Sequence, residues 1–339
     1  MKPFTMIPKS VKKKIPDPIK KAIRKIYKSR LYRDIEKFKK NGTRFRPPLS
    51  DFPGIVRLET TTRCNLHCAH CPHSVLSKDK NFLGDMDKSL YFRAIDEIAK
   101  ESPETIVRPF GGGEPLVRTD LAELIGYAKK KGIQKISINS NGTLLTKNRR
   151  AELIKSGLDH LEVSIDAATP DTYTKVRQAD FFRKVVDYTI AFIDESKHFN
   201  RNNKITVSFV LQKDNYHELE DFKRFWKDKA DNVTIRPYHQ HGGFVDAHGN
   251  FIKNADSTYR HPCPYVWRGL IISIHGKVCF CESDWTAEHT VGDICHQSIK
   301  GIWQGPELHR LREQHIAGTF DHPLCNVCPD WQKIKWPGM

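Results

Sequence analysis

From Ile55 to about Pro237 the sequence alternates short apolar strands with longer amphipathic helices. This alternation constrains the fold more than any other feature. Ile55–Thr60 reads as a strand and Asp87–Lys100 as a helix with Leu90, Ala94, Ile95, Ile98 and Ala99 on its apolar face. Strand Thr105–Phe110, helix Thr119–Lys131, strand Gln134–Asn139 and helix Lys147–Ser156 follow. Next come strand His160–Ile165, helices Thr169–Val176 and Phe181–Ser196, strand Lys204–Leu211, helix Tyr216–Lys229 and strand Val233–Arg236. Successive β-α units imply a parallel sheet with right-handed crossovers, either a doubly wound layer or a partial barrel.

In such folds functional groups gather at the C-terminal ends of the strands. Here those ends are chemically unusual. The first leads to Cys64, Cys68 and Cys71, the second to Gly111-Gly112-Gly113-Glu114-Pro115 and the third to Asn139-Ser140-Asn141-Gly142. The fourth gives Ser164-Ile165-Asp166, the fifth Gln212-Lys213-Asp214-Asn215 and the sixth Arg236-Pro237-Tyr238-His239. Packing alone does not call for polar and glycine residues at every strand end.

Cys64, Cys68 and Cys71 have the spacing C-x3-C-x2-C. Three thiolates held that close suit a soft metal centre. A tetrahedral zinc site takes four ligands. A [4Fe–4S] cluster also has four positions, but one iron can go without a protein ligand. Three cysteines with no evident fourth therefore favour a cluster with one open iron over a zinc knuckle.

With the Gly-Gly-Gly-Glu-Pro turn beside these cysteines, the stretch from Ile55 to Pro237 resembles the radical S-adenosylmethionine (SAM) enzymes. That resemblance implies that Cys64, Cys68 and Cys71 hold the cluster and that SAM chelates its fourth iron. One electron from the cluster would cleave SAM, giving a 5′-deoxyadenosyl radical that abstracts hydrogen from a substrate C–H bond. The cofactor carries this chemistry, and the protein supplies position and exclusion of water. The glycine turn would let the backbone approach SAM closely. The carbonyls of Gly112 and Gly113, together with Glu114, would accept hydrogen bonds from its amino group. Ser164 and Asp166 would meet the SAM ribose or carboxylate, with a helix-capping turn as the alternative. Arg177 is a candidate for the SAM carboxylate through its guanidinium fork, with a surface arginine as the alternative. His70 stands where the family usually has an aromatic residue near the adenine, and it keeps a flat ring. His67 and His73 read as solvated neighbours.

Cys263, Gly276, Cys281 and the pair Cys325–Cys328 then resemble the SPASM extension of that family. Fuller members carry more cysteines after this last pair, and here none follows Cys328. The resemblance therefore implies one auxiliary [4Fe–4S] cluster on Cys263, Cys281, Cys325 and Cys328. Cys279 stays open in place of Cys281, because residues two apart share a strand face, and Cys295 looks spare. The alternative is a structural zinc on the same four ligands. His239, His241 and His248, in or beside Gln240–Gly249, read as a substrate-side loop rather than a metal site.

The charge of +16 is concentrated at one end. Residues 1–50 carry 17 Lys/Arg against Asp17, Asp34 and Glu36, and the rest is nearly neutral. A nucleic-acid enzyme would spread basicity along its binding face, so nucleic acid is not the expected substrate. Ile19, Ile23, Ile26, Tyr27, Leu31, Tyr32, Ile35 and Phe38 trace one face of a basic helix. We expect it to pack on the body, with a peripheral contact to an anionic membrane or an acidic partner as the alternative. No apolar run reaches the length of a membrane span. The first residues lack the apolar stretch of a secretory signal, and nine cysteines at metal-like spacings point to the cytoplasm.

These observations predict a basic helix and linker over 1–50, a partial (β/α)6 TIM-type barrel over 51–240 and a small cysteine-rich iron–sulfur domain over 241–339. The expected function is a radical SAM oxidoreductase that acts on a small molecule such as a sugar or aminoglycoside-like compound, drawing electrons from a flavodoxin or ferredoxin. The alternatives are a maturase of a ribosomally made peptide, a radical epimerase, and a non-enzymatic zinc or iron–sulfur protein. The Gly-Gly-Gly-Glu-Pro turn argues against the non-enzymatic readings.

Overall fold

The computed structural model describes residues 46–199, 203–245, 260–334 and 336. The expected basic helix over Ile19–Phe38, with its membrane or acidic-partner contact, and His248 lie outside these residues.

Six strands follow one another across the barrel: β1 (Ile55–Leu58), β2 (Ile106–Arg108), β3 (Lys135–Ser140), β4 (His160–Ser164), β5 (Lys204–Leu211) and β6 (Asn232–Pro237). Each pairs in parallel with the next. A short helix, α1 (His73–Leu76), follows the cysteines. The crossover helices are α2 (Lys88–Glu101), α3 (Leu121–Lys130), α4 (Lys147–Ser156), α5 (Pro170–Arg177), α6 (Phe182–His198) and α7 (Leu219–Trp226). Capping sets several starts. Asp87 accepts the Ser89 N–H at 2.7 Å ahead of α2, and Thr146 and Thr169 do the same for α4 and α5. Each cap satisfies a donor that the first helical turn leaves free.

The strands alternate in an unusual sense. Val56, Leu58, Val107, Ile136, Ile138, Leu161 and Val163 are fully or almost fully buried in the hydrophobic core. Their sequence neighbours Arg57, Arg108, Ser137, Asn139, His160 and Glu162 line a cavity inside the barrel, as does Arg236 on β6. Period-two alternation puts these two sets on opposite faces. The interior that small barrels fill with apolar side chains is polar here, and the apolar core is the strand–helix layer.

The sheet continues past β1. Its order is β6-β5-β4-β3-β2-β1-β7-β8-β9, with β7 (Gly269–Ile272), β8 (Lys277–Cys279) and β9 (Gly292–Asp293). β7 lies parallel to β1 with Ile55 opposite Gly269, and β8 returns antiparallel. The expected C-terminal segment thus shares the barrel's sheet. Helices α8 (Tyr265–Arg268), α9 (Ile299–Trp303), α10 (Pro306–Ala317) and α11 (Pro323–Asn326) complete it. The Glu97 carboxylate on α2 accepts the N–H groups of Ile299 and Lys300 at 2.9 and 3.0 Å, fixing α9 on the barrel. Trp303, wholly buried, donates its indole N–H to the Ser50 carbonyl at 2.8 Å.

A Cβ on Gly269 would stand 2.4 Å from the Ile55 carbonyl oxygen. Gly269→Ala should therefore push β7 away from β1, at about the 1–3 kcal/mol typical of overpacking. Chemical denaturation followed by circular dichroism should show that loss, and an unchanged midpoint would contradict the tight β1–β7 seam.

Candidate active site

The chain leaves β1 into a loop that is pinned on every side. The Arg118 guanidinium donates to the Thr60 and Met86 carbonyls at 2.9 and 2.6 Å. The Asn65 amide donates to Thr143 at 2.7 Å, and Asn141 donates to the Asn65 carbonyl oxygen at 2.9 Å, which ties the loop to the end of β3. The Ala69 N–H reaches the Val176 carbonyl at 3.1 Å. His73 was expected in solvent, but it is 2% exposed and its Nε2 meets the Thr62 carbonyl at 3.0 Å. It closes the loop from inside, while His67 is exposed as expected.

Within this loop Cys68 is buried and Cys64 and Cys71 are half-buried. Burial pushes the thiols of Cys64 and Cys71 up to about 12. Glu114 adds to the rise at Cys64, and Cys68 adds to it at Cys71. Among the described residues no three His, Cys, Asp or Glu side chains converge as they would around a single ion. A cubane, with its irons at separate corners, does not require that convergence.

The glycine turn packs against the same loop. A Cβ on Gly113 would lie 2.3 Å from the Arg63 carbonyl oxygen and 2.7 Å from that of Thr61. The Gly112 N–H donates to Glu59 Oε1 at 2.8 Å. The Glu114 carboxylate is 3% exposed and accepts from Ser140 Oγ, Asn141 N–H and Leu116 N–H at 2.8, 2.7 and 3.1 Å. Burial raises its carboxyl, and these donors oppose the rise. The glycines thus serve close backbone packing, and Glu114 joins two strand ends.

The third group centres on Asp166, which is fully buried with φ of 63°. Its Oδ1 accepts the Val210 N–H at 2.7 Å, and its Oδ2 lies 2.7 Å from Arg177 Nη2 and 3.5 Å from His70 Nε2. Thr169 caps α5, so the helix-capping alternative for Asp166 falls. Arg177 is 6% exposed, so the surface alternative falls too. Burial opposes its charge, but Asp166 and Cys68 outweigh that and hold the guanidinium protonated. Arg177 Nη1 donates to Cys68 Sγ at 3.6 Å. Arg177 Nη2 and Asp166 Oδ2 are engaged with each other, and Arg177 Nε is buried without a partner. Such an orphaned donor beside a thiol fits a bound polar group. Ser164 meets Ser208 at 3.3 Å. Burial, and then Arg177, lowers His70 well below its usual range, so its ring is neutral.

The second cysteine set also assembles. Burial raises the Cys263 thiol well above its usual value, and Cys281, Cys325 and Cys328 lie close enough to add to the rise. Cys281 likewise feels Cys325 and Cys328. Cys279 faces Asp284 and Glu59 instead. β8 ends at Cys279, so Cys281 is free of strand alternation and turns toward the others. Cys295 is exposed and stands apart. Sequence reasoning missed His315, 1% exposed on α10. The Cys263 N–H donates to its Nδ1 at 3.0 Å, which leaves the proton on Nε2, 3.3 Å from Cys325 Sγ. Burial lowers this histidine to about 3, so it donates to sulfur as a neutral ring.

A cavity of about 580 Å³ joins the two regions. His70, beside Cys71, lines one part; Tyr265 and Glu282, near Cys263 and Cys281, line another. Arg57 ion-pairs with Glu282. Arg236 grips Glu162 through two nitrogens at 2.6–2.9 Å. The charged alternation within the strands was the signal available in the sequence for these residues.

The radical SAM superfamily matches residues 58–225, and an iron–sulfur cluster-binding domain, SPASM, matches residues 263–329. The chain is a radical SAM enzyme with a SPASM domain. Its cofactors are a SAM-binding [4Fe–4S] cluster, SAM and an auxiliary iron–sulfur cluster. A probable GTP 3′,8-cyclase of Methanothermobacter thermautotrophicus is 29% identical over 180 residues, which is 53% of this chain and 56% of that protein. The chain therefore matches about half the length of this curated relative. Among solved structures, BtrN in complex with AdoMet and 2-DOIA superposes with a TM-score of 0.57 at 21% identity, covering 81% of this chain and 92% of BtrN. Streptococcus suis SuiB bound to its precursor peptide SuiA gives 0.63 at 16% identity, covering 89% and 74%. At these identities the likeness is one of fold. No helix among the described residues is long and apolar enough to cross a membrane.

Gly113→Ala should displace Arg63 and the cysteine loop of this radical SAM enzyme. We expect SAM cleavage to fall at least about tenfold, the scale of a misplacement near an ångström, with unchanged circular dichroism. Iron should be lost from the first site, and full iron content with full cleavage would contradict the packing role given to Gly113.

Proposed function

We propose that this enzyme oxidises a C–H bond of a small molecule, such as a sugar or aminoglycoside-like compound, with SAM consumed. The observation that supports this reading is the cavity lined by sequence neighbours of both cysteine sets, His70 beside Cys71 and Glu282 beside Cys281. Its volume is in the range of small-molecule sites. In the proposed assignment Cys64, Cys68 and Cys71 hold the first cluster, and Cys263, Cys281, Cys325 and Cys328 hold the auxiliary one. When bound, the first cluster with SAM supplies a 5′-deoxyadenosyl radical, which takes hydrogen from the substrate. Arg177, with its orphaned Nε, and Asp166 would hold the polar end of SAM, and the neutral ring of His70 would face the adenine. Gly112 and Glu114 would position the loop. Ser164 would contribute a hydroxyl at the end of β4.

Hydrogen abstraction followed by oxidation releases one electron. With four cysteines the second set leaves no open iron for substrate, so its proposed role is to take that electron. His315, donating to Cys325 Sγ, would stabilise the added charge on sulfur. An external reductant such as flavodoxin or ferredoxin would supply the first site, and the cytoplasm is the compartment that suits both clusters. Return of hydrogen from a thiol, as in an epimerase, has less support, because neither Cys279 nor Cys295 lines the cavity. The peptide complex of the SuiB neighbour favours a maturase as the second reading.

Anaerobic reconstitution with iron and sulfide counting, followed by quantification of 5′-deoxyadenosine, tests the proposal. Cys64→Ala, Cys68→Ala or Cys71→Ala should abolish SAM cleavage. Cys328→Ala should keep part of the cleavage but lose oxidised product. Equal loss of both activities would sink the division of labour, and a colourless protein with two zincs would sink the reading altogether.

A further inference from the structure

The charges that line the barrel cavity do not balance. Five cations face it: Arg57, Arg108, Arg236, Arg268 and Lys333. Glu282 neutralises Arg57, and Glu162 neutralises Arg236. Asp330, 1% exposed, pairs with Lys333 at 3.1 Å. Arg108 and Arg268 remain, and neither side chain makes a hydrogen bond or ion pair among the described residues. No further carboxylate lines the cavity. Its histidines His160, His239 and His241 are each lowered by burial and are neutral at physiological pH.

Arg108 is the more telling of the two. It stands opposite Arg57 in the β1–β2 register, so two guanidinium groups point into one space. Its Nε is buried without a partner. Burial, Arg57 and Arg236 act against its charge, and Glu282 and Glu162, already paired with Arg57 and Arg236, offset them only in part. A buried, unpaired cation is costly to a fold. A purely structural arginine here would have been given a carboxylate, as Arg57 and Arg236 were.

We infer that Arg108 and Arg268 bind an anionic group of the substrate, a phosphate monoester or a carboxylate, during the proposed oxidation. This rests on the small-molecule reading above and narrows it. Among sugar-like compounds it selects an acidic one and disfavours a polyamine of the aminoglycoside type, whose ammonium groups would meet two uncompensated arginines. Arg177, assigned to the polar end of SAM, lies outside the lining set that holds Arg108 and Arg268.

The test is equilibrium binding to the reconstituted holoprotein at low ionic strength, with inorganic phosphate and acetate as the anionic probes and glucosamine as the cationic one. Phosphate or acetate should bind to wild type, and whichever binds more tightly names the anion class. Arg108→Gln and Arg268→Gln should each weaken that binding roughly tenfold, the scale of one charge-assisted hydrogen bond. Arg108→Lys should restore much of it. Should a Gln variant fail to fold, protection of wild-type arginines from phenylglyoxal by phosphate or acetate, read by peptide mass, takes its place. Arg108 and Arg268 should then be the protected sites. No anion binding, anion binding unchanged in the double variant, unprotected Arg108 and Arg268, or tighter binding of glucosamine would each overturn the inference. 5′-Deoxyadenosine formation is measured separately, so loss of the radical reading would leave the anion result standing and the reverse.

Discussion

The structure depends on β1 pairing in parallel with two neighbours at once. On one side β2 leads to the glycine turn, and on the other β7 leads into the second cysteine set. β1 itself runs into Cys64. Three pieces of chemistry from distant parts of the sequence are therefore registered by one four-residue strand. Val56 and Leu58 hold that strand to the helix layer with no exposed surface, while Arg57 faces the cavity. The same alternation that buries the strand also furnishes the active-site wall.

Much of this was legible in the sequence. The six β-α units appear where the periodicity put them, because buried parallel strands and amphipathic helices write strong patterns. The family was legible because the spacing of the three cysteines has few other uses. Less legible was the return of the chain to β1. Gly269–Ile272 is a four-residue apolar run whose partner lies more than two hundred residues away, and local pattern carries no information about such a pairing. His73 was misread for a related reason. A histidine among polar neighbours looks solvated, and only the fold of the loop reveals that Thr62 presents a carbonyl to it. Cys281 could not be separated from Cys279 by strand alternation, because the strand ends between them.

The glycine turn shows how a correct location can carry an incomplete reason. The sequence suggested room for a ligand. In the structure the room at Gly113 is taken by the backbone of Thr61 and Arg63, and the Glu114 carboxylate is engaged by Ser140, Asn141 and Leu116. The turn acts on the cysteine loop by fixing it. A loop that must hold three thiols in place gains more from such fixing than from one added ligand contact, since a small displacement of a reacting group is expensive.

Electrostatics then connects the two cysteine sets with the cavity between them. Burial holds Cys64, Cys71, Cys281 and Cys325 up near 12, so without metal these thiols are neutral and do not repel one another. In the proposed assignment metal binding would displace their protons. The lining carries surplus positive charge from Arg108 and Arg268, while its buried histidines stay neutral. A lining with two unpaired arginines can hold an anionic substrate, whereas the ammonium groups of a cationic one would meet those charges uncompensated.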